Sequence, residues 1–237
     1  MAVATALAGC EDGRFHFDGE HGKPLSELDL SGPAPHEVAL LGPDTVRISP
    51  GDKLAITVEG DPDTAKRLRF TLRDGKLAIL RKGHFASDHG QVTVNLTMPP
   101  PRGLTLAGSG SIFAPGLASD AAVNIAGSGT VETPQLAVET LKVNVAGSGE
   151  YRAGGTARRL ELTVAGSGSA AMEELKVDSA KVTVAGSGSS RFASDGTVEA
   201  TILGSGEVRV RGRAQCKVTA MGSGKLVCEP DGPAPQG

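Results

Sequence analysis

Seven serines, Ser109, Ser128, Ser148, Ser167, Ser187, Ser205 and Ser223, each sit between two glycines. A serine held in a sharp glycine turn is one way to expose a nucleophile. Activation requires more: the nucleophile elbow is Gly-x-Ser-x-Gly on a strand-to-helix turn, with a histidine in reach to take the proton. All five histidines lie at or before His89, and none falls within the Gly-Ser-Gly series. The seven serines therefore read as structural corners and no catalytic residue is assigned. The glycine runs also lack a following Lys-Ser or Lys-Thr at phosphate-loop spacing and the aspartates of calcium-binding β-helix repeats. His84, Asp88 and His89 share one short stretch, as do His16, Asp18, Glu20 and His21, but spacing on one polar loop is weak evidence for a metal and both read as solvated segments. No metal or cofactor is predicted.

The three cysteines are Cys10, Cys216 and Cys228. Leu7-Ala8-Gly9-Cys10 resembles the lipobox of bacterial lipoproteins, and the polar sequence from Glu11 onward reads as a tether leaving a membrane. A complete signal has a basic start and a longer apolar core, which residues 1–9 lack, so a buried N-terminal strand is the competing reading. Lipidation of Cys10 leaves Cys216 and Cys228 as an even pair, which an oxidising compartment would allow to bridge.

The elements that position these residues follow from a repeat. The Gly-Ser-Gly copies are spaced by 19, 20, 19, 20, 18 and 18 residues, which is solenoid spacing. Two and four residues before the first glycine run apolar columns: Leu106, Ile125, Val145, Val164, Val184, Ile202 and Ala220, then Leu104, Val123, Val143, Leu162, Val182, Ala200 and Val218. Side chains alternate along a strand, so the column between them, from Thr105 and Asn124 to Thr219, points outward. Five before the glycine stand Lys142, Glu161, Lys181, Glu199 and Lys217. With one repeat per turn, neighbours about 4.8 Å apart are always opposite charges. Two repeats per turn would stack like on like, so one repeat makes one rung. Glycine on both sides of each serine supplies a corner tolerant of positive φ, and the hydroxyls could bond along the stack.

Residues 10–36 read as a flexible tether behind the 1–9 signal segment, and 230–237 as a disordered tail. The β-helix domain spans 37–229, with a β-rich first half at 37–102 and the seven repeats at 103–229. Period-two runs such as Leu54, Ile56, Val58 and Leu68, Phe70, Leu72 predict strands in the first half, with Asp74-Gly75 as a hairpin turn. Aromatics make up only 3% of the chain and tryptophan is absent, which suits a thin aliphatic core. A net charge of −3 argues against nucleic acid as a partner.

From about Glu37 to Val227 the alternating first half followed by in-phase Ala-Gly-Ser-Gly corners resembles the putative auto-transporter adhesin head domain, or GIN domain. Leu203-Gly-Ser-Gly and Met221-Gly-Ser-Gly depart from the usual small residue. The resemblance implies an all-β fold, a right-handed parallel β-helix, in a bacterial envelope protein with an adhesive role; it carries no catalytic residues. The resulting expectation is a non-enzymatic, lipid-anchored envelope module, periplasmic or on the outer membrane. It would meet envelope polysaccharide or another surface protein, with its oligomeric state open. The alternatives are a pectin-lyase-like carbohydrate-active enzyme and a self-assembling β-helical structural protein. Two surfaces could bind: the Thr/Asn column beside Ala126, Ala146, Ala165 and Ala185, and a stripe formed by Arg152, Arg191, Arg209, Arg211 and Arg213, which has Glu150 and Glu207 beside it. Cys216 and Cys228 both fall in inward columns of the last rung, one step out of register, leaving a disulfide and two buried thiols as alternatives.

Overall fold

The computed structural model describes residues 22–82 and 90–229. Cys10, the early histidines, His84, Asp88, His89 and the 230–237 tail lie outside the described residues. Sixteen strands form one continuous hydrogen-bonded sheet wound into a parallel β-solenoid of about seven turns. The first half supplies β1 (Glu37–Leu41), β2 (Thr45–Pro50), β3 (Ala55–Gly60), β4 (Leu68–Arg73), β5 (Lys76–Arg81) and β6 (Val92–Met98). The repeats begin with β7 (Gly103–Gly108), β8 (Ser111–Phe113) and β9 (Asp120–Gly127). Four long strands follow, β10 (Thr130–Gly147), β11 (Glu150–Gly166), β12 (Ser169–Gly186) and β13 (Ser189–Gly204), then β14 (Glu207–Arg211), β15 (Gln215–Gly222) and β16 (Lys225–Glu229).

Register confirms one repeat per rung. Gly127 pairs with Gly147, Gly147 with Gly166, and Gly166 with Gly186, all in parallel. Each long strand bends between straight runs, which its burial parity shows. In β10 the buried positions are Val131 and Thr133, then Leu136 and Val138, then Leu141, Val143 and Val145. The phase slips at Pro134-Gln135 and again at Glu139-Thr140, so with the Gly-Ser-Gly corner each rung has three bends.

Inside, the apolar columns stack rung on rung; Leu106, Val143, Val164, Val184 and Ile202 are at most 1% exposed. Where the core is wide enough it takes Tyr151 and Phe192. The Tyr151 hydroxyl sits 2.6 Å from Thr133 Oγ1, and burial pushes it far above the usual phenol range despite that hydrogen bond.

Chain order departs from spatial order in the first half. β1 lies between β7 and β5, while β2 lies between β8 and β6. The β1–β2 rung therefore sits directly beneath the Ser109 rung, and the chain passes below it through β5 and β6 before returning. Leu41-Gly42-Pro43-Asp44 takes the place of Ala-Gly-Ser-Gly at its corner: Gly110 N–H donates to Gly42 O and Ser111 N–H to Asp44 O. Beneath Asp44 lies Arg81, whose guanidinium grips the carboxylate through Nε (2.7 Å to Oδ2) and Nη2.

The N-terminal end is closed by antiparallel strands, β4 against β5 and β3 against β6. Asp74 and Gly75 make a two-residue turn with positive φ, 52° and 72°, as the hairpin reading requires. The short helix α1 (Pro62–Ala65) is capped by Asp61, whose Oδ1 accepts from Thr64 N–H at 2.7 Å, and those hydrogen bonds hold the Asp61 carboxyl below its ordinary value.

One expectation is corrected at this end. Residues 22–36 do not behave as a tether: Lys23 exchanges two backbone hydrogen bonds with Phe70, and Leu25, Leu28, Leu30 and Ala34 pack against the core. The closing strands leave apolar side chains such as Phe70 needing cover, and the three leucines supply it.

Candidate functional site

The charged column belongs to the straight run that precedes each corner, pointing away from the core. Its register is Lys142 to Glu161, Glu161 to Lys181, Lys181 to Glu199 and Glu199 to Lys217. Lys142 Nζ lies 3.2 Å from Glu161 Oε2. The same column continues below the repeats. Lys76 pairs in register with Glu37, with 3.1 Å between Nζ and Oε2, and Glu37 stands opposite Gly103, Gly103 opposite Ala122, and Ala122 opposite Lys142.

The ladder therefore has a gap of two small residues with an ion pair on either side. Over that gap lies an open depression of about 890 Å³. Gly103 and Ala122 leave the space, and Thr105 and Asn124 from the next outward column offer hydroxyl and amide groups. Asn124 Oδ1 already accepts from Asn144 Nδ2 at 2.9 Å, which fixes the orientation of its amide. Lys76 with Glu37 and Lys142 with Glu161 cancel in charge. Arg102, Arg159 and Asp120 also line the depression and hold no ion pair with a described residue. Two guanidiniums against one carboxylate make it mildly basic and leave hydrogen-bond donors unspent on protein.

The sequence reading stopped the ladder at Lys142. Extending the column back to Ala122, Gly103 and Glu37 would have exposed the gap, but only once Leu41-Gly42 is recognised as a corner without its serine.

Three arginines of the stripe already have acidic neighbours. Arg152 lies 2.7 Å from Glu150, Arg209 3.0 Å from Glu207, and Arg191 3.4 Å from Glu173. Arg211 donates to Glu173 O, and Arg213 N–H donates to Asp195 Oδ1. Lys176 and that backbone donor hold the Asp195 carboxyl below its usual range. Three of the five arginines, Arg152, Arg191 and Arg209, are thus each paired with a glutamate.

All seven corner serines are exposed, and none of their hydroxyls bonds a described residue; the stack is joined instead by backbone, as in Ser167 N–H to Gly147 O at 2.9 Å. Positive φ belongs to the first glycine of each corner and not to the second. The second is glycine for want of space, as Gly168 shows below. Cys216 and Cys228 form a disulfide with 6.8 Å between their Cα atoms. Cys216 is exposed, because among the described residues β15 has a neighbouring strand on one side only.

Residues 34–214 match the family model described as putative auto-transporter adhesin, head GIN domain. The chain belongs to this family. Solved structures share the GIN architecture: a putative adhesin from Bacteroides fragilis superposes with TM-score 0.73 at 16% identity, over 83% of this chain and 92% of that one. A putative lipid binding protein from Parabacteroides distasonis gives TM-score 0.62 at 20% identity, over 83% and 94%. A putative adhesin from Parabacteroides merdae gives 0.61 at 16%, over 83% and 92%. At these identities the likeness carries the fold alone. No curated protein matches the chain.

Proposed function

We propose that this GIN domain is a non-enzymatic binding module of the bacterial cell envelope. In this reading it is held to a membrane by a lipid on Cys10 and grips an acidic polysaccharide in the depression over Gly103 and Ala122. The observation that carries it is the interruption of a neutralised charge ladder by two small residues, with Arg102 and Arg159 at hand and in no ion pair among the described residues. Neutral sugars are commonly held by stacking on aromatic faces, but among the described residues no phenylalanine or tyrosine lines the depression. Recognition here falls to charge and hydrogen bonds, which favours a polymer carrying carboxylates or sulfates. The putative adhesins of the same fold agree with a binding role.

The test is titration of the soluble domain with a uronate-containing polysaccharide and with a neutral glucan. Binding is expected to the acidic polymer alone and to weaken as ionic strength rises, since exposed charges are screened over about 10 Å at 0.1 M salt. Equal binding of the neutral glucan, or none of the acidic polymer, would overturn the assignment. For the anchor, the chain placed behind a complete lipoprotein signal should fractionate with membranes and Cys10→Ala should release it; unchanged fractionation would remove Cys10 from the account.

A further inference from the structure

The two ends of the solenoid are finished differently. Antiparallel strands, the Lys23–Phe70 bridge and three leucines cover the N-terminal end. At the C-terminal end, Cys216, Val218 and Ala220 from the inward columns of β15 are exposed, and Leu226 and Cys228 of β16 are half-buried. The exposed large apolar side chains among the described residues, Leu203 at 42%, Val218 at 49% and Met221 at 70%, all lie on the last two rungs. The disulfide between β15 and β16 holds this uncovered rung in shape. Proline stands at 230, 233 and 235, and proline has no amide to donate to a strand edge.

The free edge of β16 specifies its own partner. In a parallel ladder, alternate residues direct both backbone groups to the same neighbour. Lys225 N–H donates to Gly206 O at 3.0 Å and Glu229 O accepts from Gly212 N–H at 2.8 Å. Lys225, Val227 and Glu229 therefore face β14, leaving the N–H and C=O of Leu226 and Cys228 for the open edge. Lay a second β16 antiparallel, Val227 opposite Val227, and Leu226 meets Cys228 of the other copy twice, each pair able to exchange two hydrogen bonds. The same register sets Lys225 opposite Glu229 twice. Centring on Cys228 instead puts Leu226 against Pro230, which has no N–H. Centring on Leu226 puts Cys228 against Gly224, whose N–H is already bonded to Gly204 O at 2.9 Å.

We propose that the open C-terminal rung pairs with the same rung of a second copy of this chain, antiparallel through β16, to give a closed two-fold dimer. An isologous contact consumes the open β16 edge of both copies, so this contact joins two chains and no more. Pairing also covers the open edge strand, which would otherwise be an aggregation hazard. It is independent of the polysaccharide site, which lies near the opposite end.

The test is sedimentation velocity over a concentration series, on the full chain carrying Cys10→Ser so that no thiol at position 10 can link two copies. A monomer–dimer equilibrium is expected. Lys225→Glu opposes like charges at both ion-pair positions, and so does Glu229→Lys; each should weaken the dimer by about tenfold or more. A one-to-one mixture of the two variants opposes unlike charges at both positions and should recover dimer, which neither a folding defect nor a general surface effect would produce. Wild type that stays monomeric at every concentration, oligomers growing past two, variants that dimerise undiminished, or a mixture that fails to recover would each overturn the proposal.

Discussion

Asp44→Ala is expected to lower the stability of the domain by about 3 to 5 kcal/mol, the range for removing one partner of a buried ion pair. Asp44 and Arg81 have side chains only 1% and 2% exposed. The Asp44 carboxylate also accepts from Val92 N–H at 3.2 Å, while Arg81 Nη2 donates to Gly90 O at 2.7 Å. Three segments of chain, around Asp44, Arg81 and Gly90–Val92, therefore converge on this pair, at the join between the β1–β2 rung and the β5–β6 rung beneath it. Removing the carboxylate leaves a buried guanidinium without its bidentate acid. With roughly 2 to 4 °C lost per kcal/mol in a chain of this size, the melting temperature should fall by about 6 to 20 °C. Asp44→Ala/Arg81→Met should do less harm than Asp44→Ala alone, because the charge leaves with its partner. A loss below about 1 kcal/mol in urea denaturation of Asp44→Ala would contradict this role.

The second large effect is at the corners, where Gly168→Ala and Ser167→Ala should differ sharply although they are neighbours. A Cβ on Gly168 would lie 2.6 Å from Val145 Cγ1 and 2.7 Å from Gly149 O. Both atoms belong to the rung below, one a packed ladder side chain and the other backbone, so neither can yield cheaply. Overpacking of this kind costs about 1 to 3 kcal/mol, and a central rung cannot relax as an end rung can. Ser167 is exposed, and its replacement should fall within about 0.5 kcal/mol of wild type. Comparable losses for the two variants would give the serine hydroxyl a structural part that its surroundings do not show.

The repeats were legible because three independent patterns share one phase: the glycine corners, the apolar columns at two and four residues before them, and the alternating Lys/Glu column. Any one could arise in another fold, but together they allow only one rung per repeat. The rung beneath Ser109 was hidden for a physical reason. A second corner glycine is needed where a ladder side chain stands directly below, whereas Asp44 has Arg81 below it and turns that space into an ion pair, erasing the motif. Strand order was hidden as well, since periodicity shows that β1 and β5 are strands and is silent on which pairs with which. The arginines were visible as a column with Glu150 and Glu207 beside two of them, but the pairing of Arg191 with Glu173 crosses between strands and shows only in three dimensions. The depression was missed because small residues in a charged column look like the end of a pattern and not like an opening within one.

The functional reading rests on that opening, and Ala122→Glu tests it most directly. Ala122 stands opposite Lys142, so glutamate there extends the alternation of charge and should leave the fold intact or add about 0.2 to 1 kcal/mol. The same side chain fills the gap and sets a carboxylate before Arg102 and Arg159. Measured together on one preparation, urea denaturation and titration with a uronate-containing polysaccharide should show undiminished stability and lost binding. A variant that remains as stable as wild type and binds the acidic polymer as tightly would show that the depression over Gly103 and Ala122 is not the site.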